Sequence, residues 1–330
     1  MTKKFTIRIL LFLALLAGLN FVIDWAFKSF SAHRWVNLKM DEQFGEYDGT
    51  LTWLAMGNSH NCVNTRILDN SFNYGSPGEN YIRTYYKLKY ILEKTGHKPE
   101  YLLLQADISS FGPKISNRYE YNYYWIKYVD YLELARIKND RDIINYWIEG
   151  KFFSYAGNYK DFWLSIVYRI KMKEVNMFRG YREHRDYRNF ADVPDRQKVA
   201  WDKAQMILTK NEPLDPAIRV YFDMIMQLCR EHQVKVLLIR FPEAKEFYEE
   251  QERLVPVGKL YEEVTAIAEK YMVFNGILDY HDMFFEHPEY FFDPDHLNVK
   301  GSDLFTEKLA EDLKKLTSFR PLEFSSHSGQ

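Results

Sequence analysis

The sequence predicts an α/β protein: a three-layer parallel sheet with helices on both faces. A mainly helical, aromatic-rich insertion and an N-terminal transmembrane helix complete the expected architecture. Three observations predict this. Short, continuously apolar segments such as Leu51–Met56, Tyr101–Ala106 and Val234–Ile239 read as strands buried on both faces. Segments with apolar residues three and four apart lie between them, and such alternation builds parallel sheets. At the chain start, the run from Ile9 to Ile23 is apolar on all sides, broken only by Gly18 and Asn20.

The elements follow in order. Lys3, Lys4 and Arg8 precede the apolar run, and Phe5 to Phe27 is long enough to span a bilayer if Arg8 snorkels and Asp24 lies at the far interface. The positive-inside rule then places residue 1 in the cytoplasm and the remainder outside, periplasmic or extracellular. A cleaved signal peptide has the same charge order, but no clear small-x-small site follows the run, so a retained signal anchor (residues 1–30) is favoured. A connecting stretch, 31–50, leads to the strand Leu51–Met56. Ser71–Tyr74 is a weaker strand before the turn GSPG, and Tyr81–Glu93 is a helix stopped at Thr95-Gly96. After the strand Tyr101–Ala106, the interval from about 111 to 209 departs from the rhythm with clusters such as YEYNYYWIKYVDY, FFSYAGNY, DFWLSIVY and FRGYREHRDYR. It reads as a helical insertion within one domain spanning 31–318. Asp215-Pro216 starts the helix Ala217–Gln233, followed by the strand Val234–Ile239, the helix Val257–Tyr271 and the strand Val273–Asp279. A last helix covers Gly301 to Leu316, and 319–330 is a polar tail.

Composition narrows the function classes. With 46% hydrophobic and 27% charged residues the chain is a folded protein, and its net charge of −2 provides no basic field for nucleic acid. The 17% aromatic content, with 25 Tyr and 24 Phe, suits cores as well as wet, sugar-like contacts. Cys62 and Cys229 lack metal or redox spacing, and His281, Asp282 and His287 match no familiar ligand set, so neither a metal nor another cofactor is expected.

Two short blocks carry chemistry. Gly57-Asn58-Ser59-His60 directly follows the first strand, beyond the carboxyl ends of the sheet where ligands of open α/β folds bind. A serine there needs a base to act as a nucleophile. Asp293-Pro294-Asp295-His296 lies after the last strand and offers a histidine that a carboxylate orients on one nitrogen, leaving the other to act.

Together these blocks resemble the SGNH/GDSL hydrolase superfamily, over roughly residues 50–112 and 234–316. The resemblance implies a flavodoxin-like sheet, with Ser59 as nucleophile, His296 as general base and then acid, and Asp293 as its orienting partner; Asp295 is the reserve. It also implies an oxyanion hole from the Ser59 N–H and a glycine of Asn73-Tyr74-Gly75-Ser76-Pro77-Gly78, Gly78 first and Gly75 in reserve. The family's third block, Gly-x-Asn-Asp, is replaced by Gln105-Ala106-Asp107-Ile108-Ser109-Ser110, which leaves Ser109 or Gln105 as substitute donors. His60, Asp107 and Arg240 are candidate substrate contacts. The anchored layout is similar to branches that transfer D-alanine to teichoic acids or O-acetylate exported polysaccharides. That similarity implies serine esterase or acyltransferase activity on an acylated glycan or envelope polymer, beside a membrane-bound O-acyltransferase. The altered third block and the aromatic insertion favour the alternative, a non-catalytic glycan-binding or scaffold component of a polysaccharide export or modification complex.

Overall fold

The computed structural model describes residues 3–30, 36–116, 123–155, 177–182, 189–212 and 214–318. The cluster DFWLSIVY, FRGYREHRDYR beyond Arg182 and the tail 319–330 lie outside the described residues. Strands β1 (Trp53–Met56), β2 (Ser71–Asn73), β3 (Tyr101–Gln105), β6 (Lys235–Arg240) and β7 (Phe274–Asp279) form one sheet in the order β2-β1-β3-β6-β7. Every pairing in it is parallel. Two small antiparallel hairpins lie outside the sheet, β4 (Met177–Phe178) with β5 (Tyr181–Arg182) and β8 (Phe291–Asp293) with β9 (His296–Leu297).

The strands are apolar throughout because helices cover both faces. On one face Leu54, Met56, Leu102, Leu104, Val236 and Leu238 pack with Ile82, Leu88, Phe222, Ile225, Leu260 and Val264 of the helices Tyr81–Tyr90, Pro216–Glu231 and Val257–Ala268. On the other, Trp53, Ala55, Leu103, Leu237 and Ile239 meet Phe305, Leu309 and Leu313 of the C-terminal helix Val299–Ser318. Each such fully buried aliphatic or aromatic side chain contributes about 1.5–3 kcal/mol. The expected α/β class and its strands are therefore observed, with bounds moved by one or two residues.

Two helices were not anticipated. The stretch expected to be a connection contains the helix Val36–Gly45, whose Met40 and Phe44, one turn apart, are buried; Phe44 stacks on Tyr74 at 4.7 Å. Lys245–Leu254 is a further helix, buried through Phe247 and Leu254. Of the insertion, the helices Tyr131–Lys138, Ile143–Phe152 and Arg196–Ile207 are described.

The N-terminal helix Lys3–Phe30 is long and apolar enough to cross a membrane, with mean hydropathy 2.3 over its best stretch. Leu10, Leu11, Leu15 and Phe21 are exposed on it. Its far end is docked on the insertion. Asn20 donates to the Phe152 carbonyl (2.9 Å) and accepts from the Tyr155 hydroxyl (2.7 Å). Asp24 is buried, bonding Lys28 at 2.5 Å and the backbone N–H and hydroxyl of Ser154.

Candidate active site

The order of the sheet places a topological switch between β1 and β3, where neighbouring strands continue to opposite sides and leave a crevice at their carboxyl ends. The residues after β1 and β3 meet in that crevice. Gly57 is needed there because a Cβ would lie 2.3 Å from Gln105 Oε1 and 2.5 Å from its Cβ. The Asn58 N–H donates to Gln105 Oε1 (2.6 Å), and Gln105 Nε2 donates to Asn58 Oδ1 (2.9 Å) and Asp107 Oδ2 (2.6 Å). This lock fixes the turn that presents Ser59.

The β8–β9 hairpin brings the second block to it. Asp293 pairs with His296 across the hairpin, so Pro294 and Asp295 form its turn. His296 Nε2 lies 2.8 Å from Ser59 Oγ. Its Nδ1 lies 2.9 Å from Asp293 Oδ1 and 2.8 Å from Asp295 Oδ1. The two carboxylates differ in setting: the Asp293 side chain is 30% exposed and Asp295 only 2%. Asp293 Oδ1 also accepts the Asp295 N–H at 3.1 Å, closing the turn. Lys203, from the insertion helix Arg196–Ile207, reaches Asp295 at 2.8 Å and Asp293 at 3.7 Å.

His60 bridges the same carboxylate to the β3 loop, with Nε2 3.0 Å from Asp295 Oδ2 and Nδ1 3.0 Å from Asp107 Oδ2. Burial disfavours its charge, but Asp295 and Asp107 more than offset this and push its pKa up to about 10. His60 is therefore an imidazolium at neutral pH, donating through both nitrogens. Burial likewise raises the pKa of Asp295 in isolation, yet His296 and His60 hold it well below the usual carboxylate range. For His296, burial lowers the pKa while Asp295 and Asp293 raise it, and the net shift is upward. His60, Asp295 and His296 offer ligand atoms within 4.8 Å of one another, but those atoms are engaged in the hydrogen bonds just described, and a metal would first require His60 to lose a proton.

A small cavity of about 40 Å³ opens beside Ser59, bordered by Asn61, Asn73, Gly75, Gly180 and Arg182. It has room for little more than a water or a carbonyl group. Gly75, not Gly78, lines it, and its closeness to Asn61 leaves no space for a side chain: a Cβ would lie 2.8 Å from Asn61 Nδ2. The loop carrying Gly75 is held by Lys87, fully buried, which bonds the Tyr74 carbonyl (2.6 Å), Ser76 Oγ (3.1 Å) and Glu79 (2.5 Å). Ser109 is buried on the turn Ile108–Phe111, its hydroxyl without a partner, and is not among the cavity's lining residues.

The proposed substrate contacts have other partners. His60 lies neither in solvent nor in the cavity lining, but between two carboxylates. Asp107 accepts from His60, Gln105 and the Phe241 N–H (2.8 Å). Arg240 is buried, paired with Asp279 (3.2 Å) and Glu243 (3.3 Å), and lies over the Tyr261 ring. Cys62 and Cys229 are free and buried, and burial pushes both thiols up.

Three residues of the site were not anticipated. Lys203 belongs to the insertion, where no motif marks it. Arg182 stands in a charged stretch and carries no local signal. Asn61 has both carboxamide atoms buried without a hydrogen-bond partner, although the residue is only 9% exposed.

The fold and site together define an α/β protein with a serine–histidine–carboxylate array at the switch point of a parallel sheet. No protein-family model and no curated protein matches the chain. Among solved structures, the chain is similar to one provisionally described as a platelet activating factor from Streptococcus pneumonia. The identity is 11% and the TM-score 0.39, covering 90% of this chain and 98% of that chain. A likeness this distant carries no statement about activity.

Proposed function

We propose that the protein is a serine acyl-ester hydrolase or acyltransferase that works through an acyl-enzyme on an extracytoplasmic glycan or envelope polymer. The observation that carries this reading is the 2.8 Å contact of Ser59 Oγ with His296 Nε2, with carboxylates on the opposite nitrogen. His296 Nδ1–H donates to Asp295 and Asp293, so Nε2 keeps its lone pair toward the serine hydroxyl. As Oγ bonds to the ester carbonyl carbon, its proton passes to Nε2. The tetrahedral adduct then collapses, and the alcohol leaves with that proton. Water or a sugar hydroxyl next gives its proton to His296 as it attacks the acyl carbon, and His296 Nε2 returns that proton to Ser59 Oγ as the acyl–Oγ bond breaks.

Charge balance supports the same roles. Asp107, Asp293 and Asp295 bring three carboxylates against the two cations His60 and Lys203. The remaining negative charge is matched when His296 becomes an imidazolium, so the array favours the transition state over the resting site. Asp295 is the principal orienting carboxylate in this reading, because it is the buried one, and Asp293 assists. The N–H of Ser59 and the unpartnered amide of Asn61 form the oxyanion hole; the Gly75 N–H is already given to Asn73 Oδ1 (3.1 Å) and shapes the loop instead. The apolar N-terminal helix anchors the domain on the extracytoplasmic side, following the positive-inside rule.

Ser59→Ala is expected to abolish turnover of a small acetyl ester, and a fluorophosphonate is expected to label the wild type but neither Ser59→Ala nor His296→Ala. An active Ser59→Ala would refute the mechanism. One observation favours the second reading, a glycan-binding scaffold: Gln105 and Asp107 of the third block are engaged internally. Absence of labelling in the folded wild type would decide for it.

A further inference from the structure

The β4–β5 hairpin is the one described part of the insertion that borders the Ser59 cavity. Its turn residues Arg179 and Gly180 both have positive φ, 46° and 78°, the arrangement that closes a two-residue hairpin. The hairpin is pinned to the site. The Arg179 carbonyl accepts the Asn73 N–H (3.0 Å), the Phe178 carbonyl accepts the Thr65 hydroxyl (2.6 Å), and Gln43 bonds Met177 (3.0 Å) and Gly180 (3.2 Å). Gly180 packs so tightly that a Cβ would lie 1.8 Å from the Asn73 carbonyl oxygen. Asn73 in turn holds the serine loop, donating to the carbonyls of Asn61 and Val63 (3.0 Å each). The hairpin therefore fixes the backbone of Arg182 at the edge of the cavity.

Arg182 is half-buried, and among the described residues no carboxylate, ring or other group pairs with its guanidinium. Burial alone acts on it, depressing its pKa with no acid to offset the effect. An unpaired, partly desolvated cation is costly, and a site that keeps one beside a nucleophile gains when an anion arrives. The surroundings add positive charge: Arg66 lies over Phe178 at 5.6 Å and Tyr181 at 5.9 Å, and Arg179 lies over Phe178 at 5.0 Å.

We infer that Arg182 is a specificity residue for an ester whose molecule also carries a carboxylate or phosphate close to the acyl group. The inference deepens the proposed function by naming the substrate class of the same site: an acylated acidic molecule, held by its acyl group at Ser59 and by its anion at Arg182.

Equilibrium binding to the full-length Ser59→Ala protein tests this without requiring turnover. Three probes share an acetyl ester and differ in charge: acetoxyacetate, 2-acetoxyethyl phosphate and neutral 2-acetoxyacetamide. At least one anionic probe is expected to bind tenfold or more tighter than the amide. That advantage should vanish in Ser59→Ala/Arg182→Ala and return largely in Ser59→Ala/Arg182→Lys. The phosphate and carboxylate arms identify which anion is preferred. Equal binding of all three probes, or an Arg182→Ala loss of the same size for the amide as for the anions, would overturn the inference. If the wild type hydrolyses none of the esters yet this charge preference holds, the hydrolase reading fails while the anionic subsite stands.

Discussion

Replacing Asn61 with alanine should set stability and catalysis against each other. The carboxamide of Asn61 is buried, and neither Nδ2 nor Oδ1 has a hydrogen-bond partner. A buried polar group left unsatisfied costs about 1–3 kcal/mol, so removing it relieves a penalty. The change leaves a small void beside an existing cavity and removes few apolar contacts, so the expected melting temperature of Asn61→Ala equals or exceeds that of the wild type. In the transition state the amide is proposed to donate to the oxyanion. Losing one such donor costs about 10²–10³ in kcat, or about 3–4 kcal/mol. Steady-state kinetics on an acetyl ester, run beside thermal unfolding, should show kcat falling by about two orders of magnitude with KM little changed and stability unimpaired. Asn61→Asp should lose more, because its carboxylate repels the oxyanion. A kcat within threefold of wild type would refute the reasoning, and so would a loss of activity that only tracks a loss of stability.

The remaining expectations concern the charge array. Asp295→Asn should lower kcat by about 10³–10⁴, the scale of losing the carboxylate of a serine triad, whereas Asp293→Asn should cost roughly tenfold or less; the reverse order would reassign the orienting role to Asp293. Because the pKa of His296 is raised and catalysis needs its neutral form, the acid limb of kcat/KM should have its midpoint above about 6.5, the ordinary histidine value; a midpoint below it would contradict the assigned electrostatics. For His60 the folded pKa of about 10 exceeds the unfolded value, so its stabilising contribution is complete below about pH 6.5 and disappears as pH rises through about 10. The difference in melting temperature between wild type and His60→Gln should shrink across that window, and a constant difference would argue against a charged His60.

The sheet was legible because its strands are buried on both faces. Leu102, Leu103 and Leu104 need no alternation, and runs of that kind stand out between amphipathic helices. The helix Val36–Gly45 was less visible, since only Met40 and Phe44 mark its buried side and the rest is polar. Ser59 and the Asp293–His296 block could be found because each is local, on one turn. The pairing of His296 with Asp295 ran against expectation, since adjacent side chains usually diverge. Here the two-residue turn between Asp293 and His296 folds Asp295 back so that its Oδ1 meets the ring Nδ1. His60, expected as a substrate contact, is instead held between Asp107 and Asp295, which distant parts of the chain contribute and local sequence does not reveal. Lys203, Arg182 and Asn61 share that difficulty. What distinguishes each is a neighbour across the fold, or the lack of one, and neither is written into local sequence.

The docking of the N-terminal helix has a consequence for where the protein can work. Asn20 and Asp24 lie one turn apart, about 22 and about 28 Å along the helix from Phe5, so Asp24 stands near the far limit of a hydrocarbon core about 30 Å thick. Asn20 is bonded to Phe152 and Tyr155 and Asp24 to Ser154, and Ile148, Phe152 and Phe153 are exposed close to that joint. With the helix inserted in a membrane, the domain does not swing on a tether. The bonds from Asn20 and Asp24 hold the insertion to the end of the helix, which would keep the domain close to the lipid surface. Under the proposed function, reach is then set by architecture: an ester meets Ser59 only within a thin layer next to the membrane.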